Sequence, residues 1–511
     1  MRVVMLTDDV PIDRRILQEA GTLIEDGHQV ILLAGHSPEL PAFEVLDGVR
    51  IERVAIPSYG RRELVAARGS TFAGRVINAA SSRSQRLVGD VVRRCLTALQ
   101  GATRVSRRLS SRAMRFGARL EHCIRRRTEN HPQAPPTEYV DAAADQRRLG
   151  SGSPAIAAVQ PHVANRLVSA TSRVWWAAGM LNAKATPWVL TAVRRSRRVP
   201  LRDAVLATRV AYYRPDVVHA HDLPQLRAGV LAGRRLGVPV VYDAHELYPE
   251  IGTLTPRQQR QLGRIERRFI RECDEVITVN PYIAAEMAQR YRIPEPTVIL
   301  NAIDANDHTE RSDALRTALH IPAAHRIVLF QGWLSPTRGL NHLVDAMAFT
   351  RDETHLVFMS YGDLVDELFA HAHRLGIGHR VHFQPAVPQA ELLWWSASAD
   401  VGVIPYPAVD LNHHFCSPNK LFEFIQAGLP IVANDLPFLR DVIVGEGIGA
   451  VAAIEEHGRF GAELDRIAHA DPAQRAQLDV RLASAAPRYD WASQESTLRT
   501  IYASAAITPR S

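Results

Sequence analysis

The chain opens on a short apolar run, Val3–Leu6, followed by a polar loop over residues 7–13 and a stretch with apolar positions at helical spacing, Arg14–Asp26. Gly27 and His28 end that stretch, and a second apolar run follows at Val30–Leu33. Short apolar runs separated by one helix-length segment predict a βαβ unit, and such units build parallel sheets. The alternation returns with strands at Val217–Ala220, Val238–Tyr242, Glu275–Val279 and Thr297–Leu300, and a helix over Leu226–Leu236. A second set begins at Arg326–Gln331. It continues through helix Leu340–Phe349, strand His355–Ser360, helix Leu364–Leu375, strand Val381–Gln384, helix Gln389–Ala397 and strand Val401–Ile404. It then reaches a polar, proline-broken loop, a helix over Lys420–Ala427 that stops at Gly428, and the apolar strand Ile431–Ala433. The pattern predicts an α/β protein with two doubly wound, Rossmann-like halves, residues 1–305 and 306–490. The boundary falls near residues 305–313, and a final helical stretch occupies 491–511.

One segment breaks the alternation. Residues 61–200 are rich in Arg, Ala and Ser, and carry 26 Lys/Arg against 7 Asp/Glu, an excess of 19 in a chain whose net charge is +7. The rest of the chain is therefore acidic, and the basic character belongs to this insert. Its Arg pairs alternate with apolar residues, and Trp175, Trp176 and Trp188 flank an apolar stretch. That pattern suits a peripheral contact with an anionic membrane surface. A membrane span over Val174–Val193 is weakened by Asn182, Lys184 and Pro187. Nucleic-acid binding lacks any helix-turn-helix, RRM or KH pattern, and a solvated Arg-rich insertion is the plain alternative.

At 511 residues, 46% apolar and 23% charged, the chain has the composition of a soluble globular protein of two or three domains. Four cysteines without C-x-x-C spacing suggest neither a disulfide framework nor a zinc site. The opening MRVVMLTDD reads as a strand and not as a signal peptide, so a cytoplasmic location on the inner membrane face is expected.

Candidate chemistry gathers where strands end. Around Gly332 and Gly339, a strand passes through a glycine loop into a helix, and Arg338 beside the free N–H groups of that helix suits a pyrophosphate. Lys420 faces it from the loop Ser417–Asn419, and Glu423, one turn into the same helix, offers a carboxylate for two ribose hydroxyls. In the first half, His219, His221 and Asp222 end one strand, and Asp243, His245 and Glu246 end the next. His245 could stabilise charge on a departing phosphate; the histidine pairs could instead hydrogen-bond in the core or bind zinc. Asp13 and Arg15 are either acceptor or interdomain contacts, or a plain N-cap and a surface charge.

The order VVHAHD, DAHE, GWLSPTRG and SPNKLFE resembles the GT-B glycosyltransferases, specifically the retaining GT4 family, over residues 1–60 and 200–505. The loop Asp8–Arg15 is similar to a subgroup that makes surface polysaccharides. The resemblance implies a two-domain enzyme with a cleft between its halves and a C-terminal helix that crosses back onto the first. It also implies metal-independent transfer of a sugar from a nucleotide-diphosphate donor to a lipid-linked or polysaccharide acceptor. His245, Arg338 and Lys420 would be catalytic. Glu423, Asn419, Ser417, Gly332 and Gly339 would bind donor, and Asp13, Arg15, His221, Asp222, Asp243 and Glu246 would face the acceptor or the cleft. Two departures stand out: Phe415 replaces the first glutamate of the family's E-x7-E motif, and Trp333 replaces its first phosphate-binding cation. They leave two alternatives beside the transferase, a nucleotide-sugar epimerase of the same fold and a non-catalytic scaffold.

Overall fold

The structure is a computed structural model that describes residues 1–54, 200–305 and 311–505. Residues 55–199, 306–310 and 506–511 lie outside the described residues, and with them the basic insert and its membrane and nucleic-acid readings.

The first sheet has eight strands: β1 (Arg2–Leu6), β2 (Gln29–Gly35), β3 (Phe43–Leu46), β4 (Val49–Val54), β5 (Val217–His221), β6 (Val240–Ala244), β7 (Glu275–Thr278) and β8 (Thr297–Val298). Their order is β3-β4-β2-β1-β5-β6-β7-β8, parallel throughout except for the β3–β4 hairpin. The second sheet is wholly parallel: β9 (Arg326–Trp333), β10 (Thr354–Tyr361), β11 (Val381–Pro385), β12 (Val401–Ile404), β13 (Ile431–Asn434) and β14 (Gly449–Ala452), in the order β11-β10-β9-β12-β13-β14. β1, β5, β6, β10 and β12 are interior strands buried along almost their whole length. That is why they read as unbroken apolar runs and not as alternating ones.

The described residues thus form the two Rossmann-like halves that the pattern predicts. The differences lie at the edges. The β3–β4 hairpin was not expected from the apolar pattern because Phe43 and Val45 are exposed. Its signal is the turn Asp47-Gly48, where both residues have positive φ, 49° and 80°, as a tight hairpin turn requires. The helix after β5 starts at Asp222 instead of Leu226, with Pro224 in its first turn, where a missing N–H costs nothing. β14 is a weak apolar run, Gly449-Ala450-Val451-Ala452, and only pairing with β13 makes it a strand.

The final helix, Trp491–Ala505, packs on the first sheet, not the second. Leu498, Ile501 and Tyr502 share a core with Ile16, Ala20 and Leu23 of helix Arg14–Glu25. Trp491 donates its indole N–H to Thr22 Oγ1 at 2.9 Å and its backbone N–H to Ile303 O at 2.8 Å. Among the described residues, no helix is long and apolar enough to cross a membrane. Because Trp491 is 3% exposed and its indole N–H bonds Thr22, Trp491→Ala is expected to lower unfolding stability by about 3–5 kcal/mol. A urea titration followed by circular dichroism reads this as a lower midpoint.

Candidate active site

A pocket of about 440 Å³ opens at the C-terminal ends of β6, β9, β10 and β11, where ligands bind in open α/β sheets. It is lined by His245 and Glu246 from the first half, and by Gly332, Arg338, Ser417, Asn419, Lys420 and Glu423 from the second. Gly339 lies just behind the wall. With φ +69° and a Cβ that would meet Pro405 O at 2.0 Å, its position accepts only glycine. Gly332, at φ +106°, turns the chain out of β9 so that Arg338 can reach back over it.

Lys420 and Arg338 share one end of the pocket. Lys420 Nζ lies 3.5 Å from the centre of the Phe330 ring and 4.9 Å from that of Tyr406, while Arg338 stacks over Tyr406 at 5.2 Å and Trp333 at 5.7 Å. Trp333, the residue in place of a cation, therefore holds the remaining one in position. Lys420 is 4% exposed and its Nζ has no hydrogen-bond partner; Ser417 Oγ beside it has none either. Burial first, and then the Arg338 guanidinium, hold the Lys420 amine well below its ordinary range. Cys416, also in the lining, is pushed up to about 12 by burial and stays a thiol.

Both oxygens of Glu423 are engaged: Oε1 accepts from Arg14 Nη1 at 3.1 Å and Oε2 from Gln331 Nε2 at 2.6 Å. The Arg14 contact joins the two halves across 409 residues of sequence. It is one of several. The loop before Glu423 clasps the first half: Asn412 accepts from Leu247 N and donates to Glu246, Asp410 accepts from Gly252 N, and the carbonyls of Phe415 and Ser417 accept from Asn280 and Asn301. The Phe415 ring stacks on Tyr282 at 5.7 Å and 17° and packs against the first-half core. Phe415 thus lies outside the pocket lining and secures the clasp.

Beneath His245 lies a buried ionic floor. Arg15, 3% exposed, forms two bonds to Asp243, Nε to Oδ2 at 2.9 Å and Nη2 to Oδ1 at 3.0 Å, and its Nη1 donates to the carbonyls of Ile299 and Leu300. Asp13 is the N-cap of the helix that carries it and accepts from Arg15 N. Neither residue lines the pocket, nor do His221, Asp222 and Asp243. His245 Nε2 lies 3.0 Å from Asp243 Oδ2 and 3.3 Å from His221 Nδ1, and its backbone N–H donates to Asp222. Burial works against a charged His245, but Asp222 and Asp243 outweigh it and hold the imidazole up at about 10, a cation at neutral pH. Burial would raise Asp243 as well; Arg15 and His245 override it and keep the carboxylate well below its usual range. His221, desolvated, falls to about 4 and is neutral. Burial pushes Asp222 up, opposed by His245 and reinforced by Glu246.

Glu19, His219, His221 and Asp243 bring one ligand atom each within 4.8 Å of the others, as a metal site would. Arg15 already fills the cation position, however, with Nε 3.0 Å from Glu19 Oε1 and 2.9 Å from Asp243 Oδ2. A metal there would have to expel a buried guanidinium that makes five hydrogen bonds to four residues. The set does not suit one.

Gln331, Tyr406 and Asn412 join the lining without a sequence signal strong enough to single them out. Gln331 and Tyr406 follow the rule of strand C-terminal ends, and Tyr406 stands two residues beyond β12. Asn412 is found only through its bonds to the other half.

Comparison with known proteins agrees with this architecture. Residues 177–307 match the model of Glycosyltransferase Family 4, and residues 312–485 that of Glycosyl transferases group 1. D-inositol 3-phosphate glycosyltransferase of Xylanimonas cellulosilytica is 27% identical over 318 residues, 57% of this chain and 72% of that one. Glycogen synthase of Mycobacterium tuberculosis is 26% identical over 327 residues, 62% of this chain and 75% of that one. Sucrose-phosphate synthase from Thermosynechococcus elongatus superposes with a TM-score of 0.60 at 14% identity over 99% of each chain. Anabaena HepE in complex with UDP and glucose does so with a TM-score of 0.51 at 19% identity, over 58% of this chain and 81% of that one. At these identities the two structures show the fold.

Arg15→Met leaves Asp243 and Glu19 buried beside an apolar side chain. The expected loss of stability is about 3–5 kcal/mol, measured by urea unfolding, with Arg15→Lys recovering only part of it because an ammonium cannot bridge both oxygens.

Proposed function

We propose, from the premise that this chain belongs to the family 4 glycosyltransferases of GT-B fold, that it transfers a sugar from a nucleotide-diphosphate donor to a lipid-linked or polysaccharide acceptor. The chain is accordingly a retaining glycosyltransferase that uses a nucleotide sugar. The observation that carries the site assignment is Lys420, a buried amine without a hydrogen-bond partner, lining the pocket with Arg338. Burial disfavours the charged form of an amine that has no hydrogen-bond partner unless an anion comes to it, and a diphosphate is such an anion.

In this reading Arg338, Lys420 and the N–H groups around Gly332 and Gly339 hold the diphosphate, with Ser417 and Asn419 at its side. The ribose takes its place on Glu423, exchanging with the Arg14 contact. The base lies toward Ala386 and Val387, just beyond β11, where backbone groups read it. His245, cationic and at the pocket's other wall, faces the sugar and Glu246 the acceptor. As the C1–O bond to phosphate breaks, the positive groups stabilise the leaving diphosphate. The acceptor oxygen bonds to C1 on the same face, and its proton passes to the departing phosphate oxygen. His221, Asp222, Asp243, Asp13 and Arg15 position His245 from below.

The acceptor's class is supported by the insert. A run of 140 residues with an excess of 19 positive charges suits the anionic inner face of a cytoplasmic membrane, where a lipid-linked acceptor would be met. No nucleic acid and no metal enters the reading.

Two measurements test it. Nucleotide binding should restore a proton to Lys420, because a nearby diphosphate favours the charged amine that burial disfavours. Calorimetry of a UDP, GDP and ADP panel in buffers of unequal ionisation enthalpy should show proton uptake by the preferred one, and affinity should fall as pH rises above the depressed Lys420 range. Lys420→Met should abolish the uptake and weaken binding by about 10–100-fold. Unchanged binding would remove the assignment. His245→Gln should lower kcat by about 10²–10³ with little change in KM for the donor, assayed with a panel of nucleotide sugars. Glu423→Ala should instead raise donor KM.

A further inference from the structure

Away from the pocket, three helices of the second half converge on a second group of imidazoles and a carboxylate. His342 and Asp345 lie one turn apart on helix Leu340–Met347, His371 lies on helix Val365–Arg374, and His457 opens helix His457–Ala468. His342 Nδ1 is 2.9 Å from His457 Nε2, and His457 Nε2 is 3.9 Å from Asp345 Oδ2. One ligand atom from each of these three residues lies within 4.8 Å of the other two.

The fourth residue orients the others. Arg374 Nη2 donates to His371 Nδ1 at 3.0 Å, which places the proton of that imidazole on Nε2. His371 Nε2 therefore donates to Asp345 Oδ1 at 2.6 Å and leaves Oδ2 turned toward the histidine pair. A donor that holds one carboxylate oxygen so that the other can coordinate is the usual outer arrangement of a metal site. The side chains of Asp345 and His457 are 27% and 30% exposed, so an ion can reach them from solvent. Among the described residues no lysine or arginine forms an ion pair with Asp345, in contrast to the Arg15 floor.

We propose that His342, Asp345 and His457 form a site for one divalent first-row transition-metal ion, such as zinc, with a water completing the coordination. Two imidazole nitrogens and one carboxylate oxygen suit zinc, cobalt or nickel and not magnesium or calcium. Ligands bound at about 2.0–2.1 Å in tetrahedral geometry stand roughly 3.3 Å apart, so a small rotation of the two histidines from 2.9 Å accommodates the ion. The ion joins helix Leu340–Met347, which begins at Gly339 beside Arg338, to helix His457–Ala468 against which it packs. Its role is to fix that helix behind the pocket; none of its ligands lines the pocket, and the sugar transfer takes place without it.

The test uses the full chain without an affinity tag, stripped with a chelator. Cobalt titration should give the visible absorption of a low-coordinate site at one equivalent, displaced by zinc, and zinc but not magnesium should raise the melting temperature. The double variant His342→Gln/His457→Gln should lose the absorption, and His371→Gln should weaken cobalt binding by about 10–100-fold while leaving the stoichiometry intact. His379→Gln, an exposed histidine elsewhere, should change nothing. Melting of every variant in chelator checks that each is folded. No saturable equivalent in the wild type, or the same equivalent kept in the double variant, overturns the proposal. Either result leaves the nucleotide-binding experiments on Lys420 untouched.

Discussion

The ion pair between Arg15 and Asp243 is the constraint on which the first half depends. Asp243 is the next-to-last residue of the interior strand β6, and Arg15 stands one residue into the first helix, so their bond locks that helix onto the C-terminal edge of the sheet. The same guanidinium satisfies the carbonyls of Ile299 and Leu300, fixing the segment after β8 from which the chain leaves for the second half. Because Asp243 is kept ionised by Arg15, it can in turn keep His245 protonated. A single buried charge thus reaches from helix packing to the charge state of a pocket wall.

The second half meets the first through the clasp of residues 410–417, and the division of labour there is chemical. Asn412, Asp410 and two carbonyls make directional bonds, while Phe415 supplies apolar area against Tyr282. A glutamate at 415 would have placed a charge against that stacked ring. Its replacement by phenylalanine is explained by packing between the halves, so it is not by itself a sign of a degenerate site. Trp333 follows the same logic, trading a cation for a ring that positions Arg338.

Much of this was legible in the sequence. Buried central strands announce themselves as apolar runs, and Gly332, Gly339 and Gly428 mark turns that only glycine makes easily. His245 and Glu246 could be picked out because strand C-termini in such sheets are where ligands bind, and Lys420 and Glu423 because a polar loop opens there into a helix start. What remained hidden depends on distance along the chain. Arg14 meets Glu423 across 409 residues, and His457 meets His342 across 115; no local pattern encodes either pair. Arg15 was named as a candidate contact, but its partner was not legible: an arginine in the first turn of a helix also reads as a surface charge, and only a carboxylate buried 228 residues away makes it core.

Lys420 has a consequence for the life of the protein as well as for its chemistry. In the proposed reading, a folded state that buries an amine with no hydrogen-bond partner is less stable empty than filled. Any anion that pairs with it stabilises only the folded form, by an amount that grows with the logarithm of its concentration. In the same reading, the supply of nucleotide donor would therefore bear on the fraction of chains open to proteases as well as on the rate of transfer.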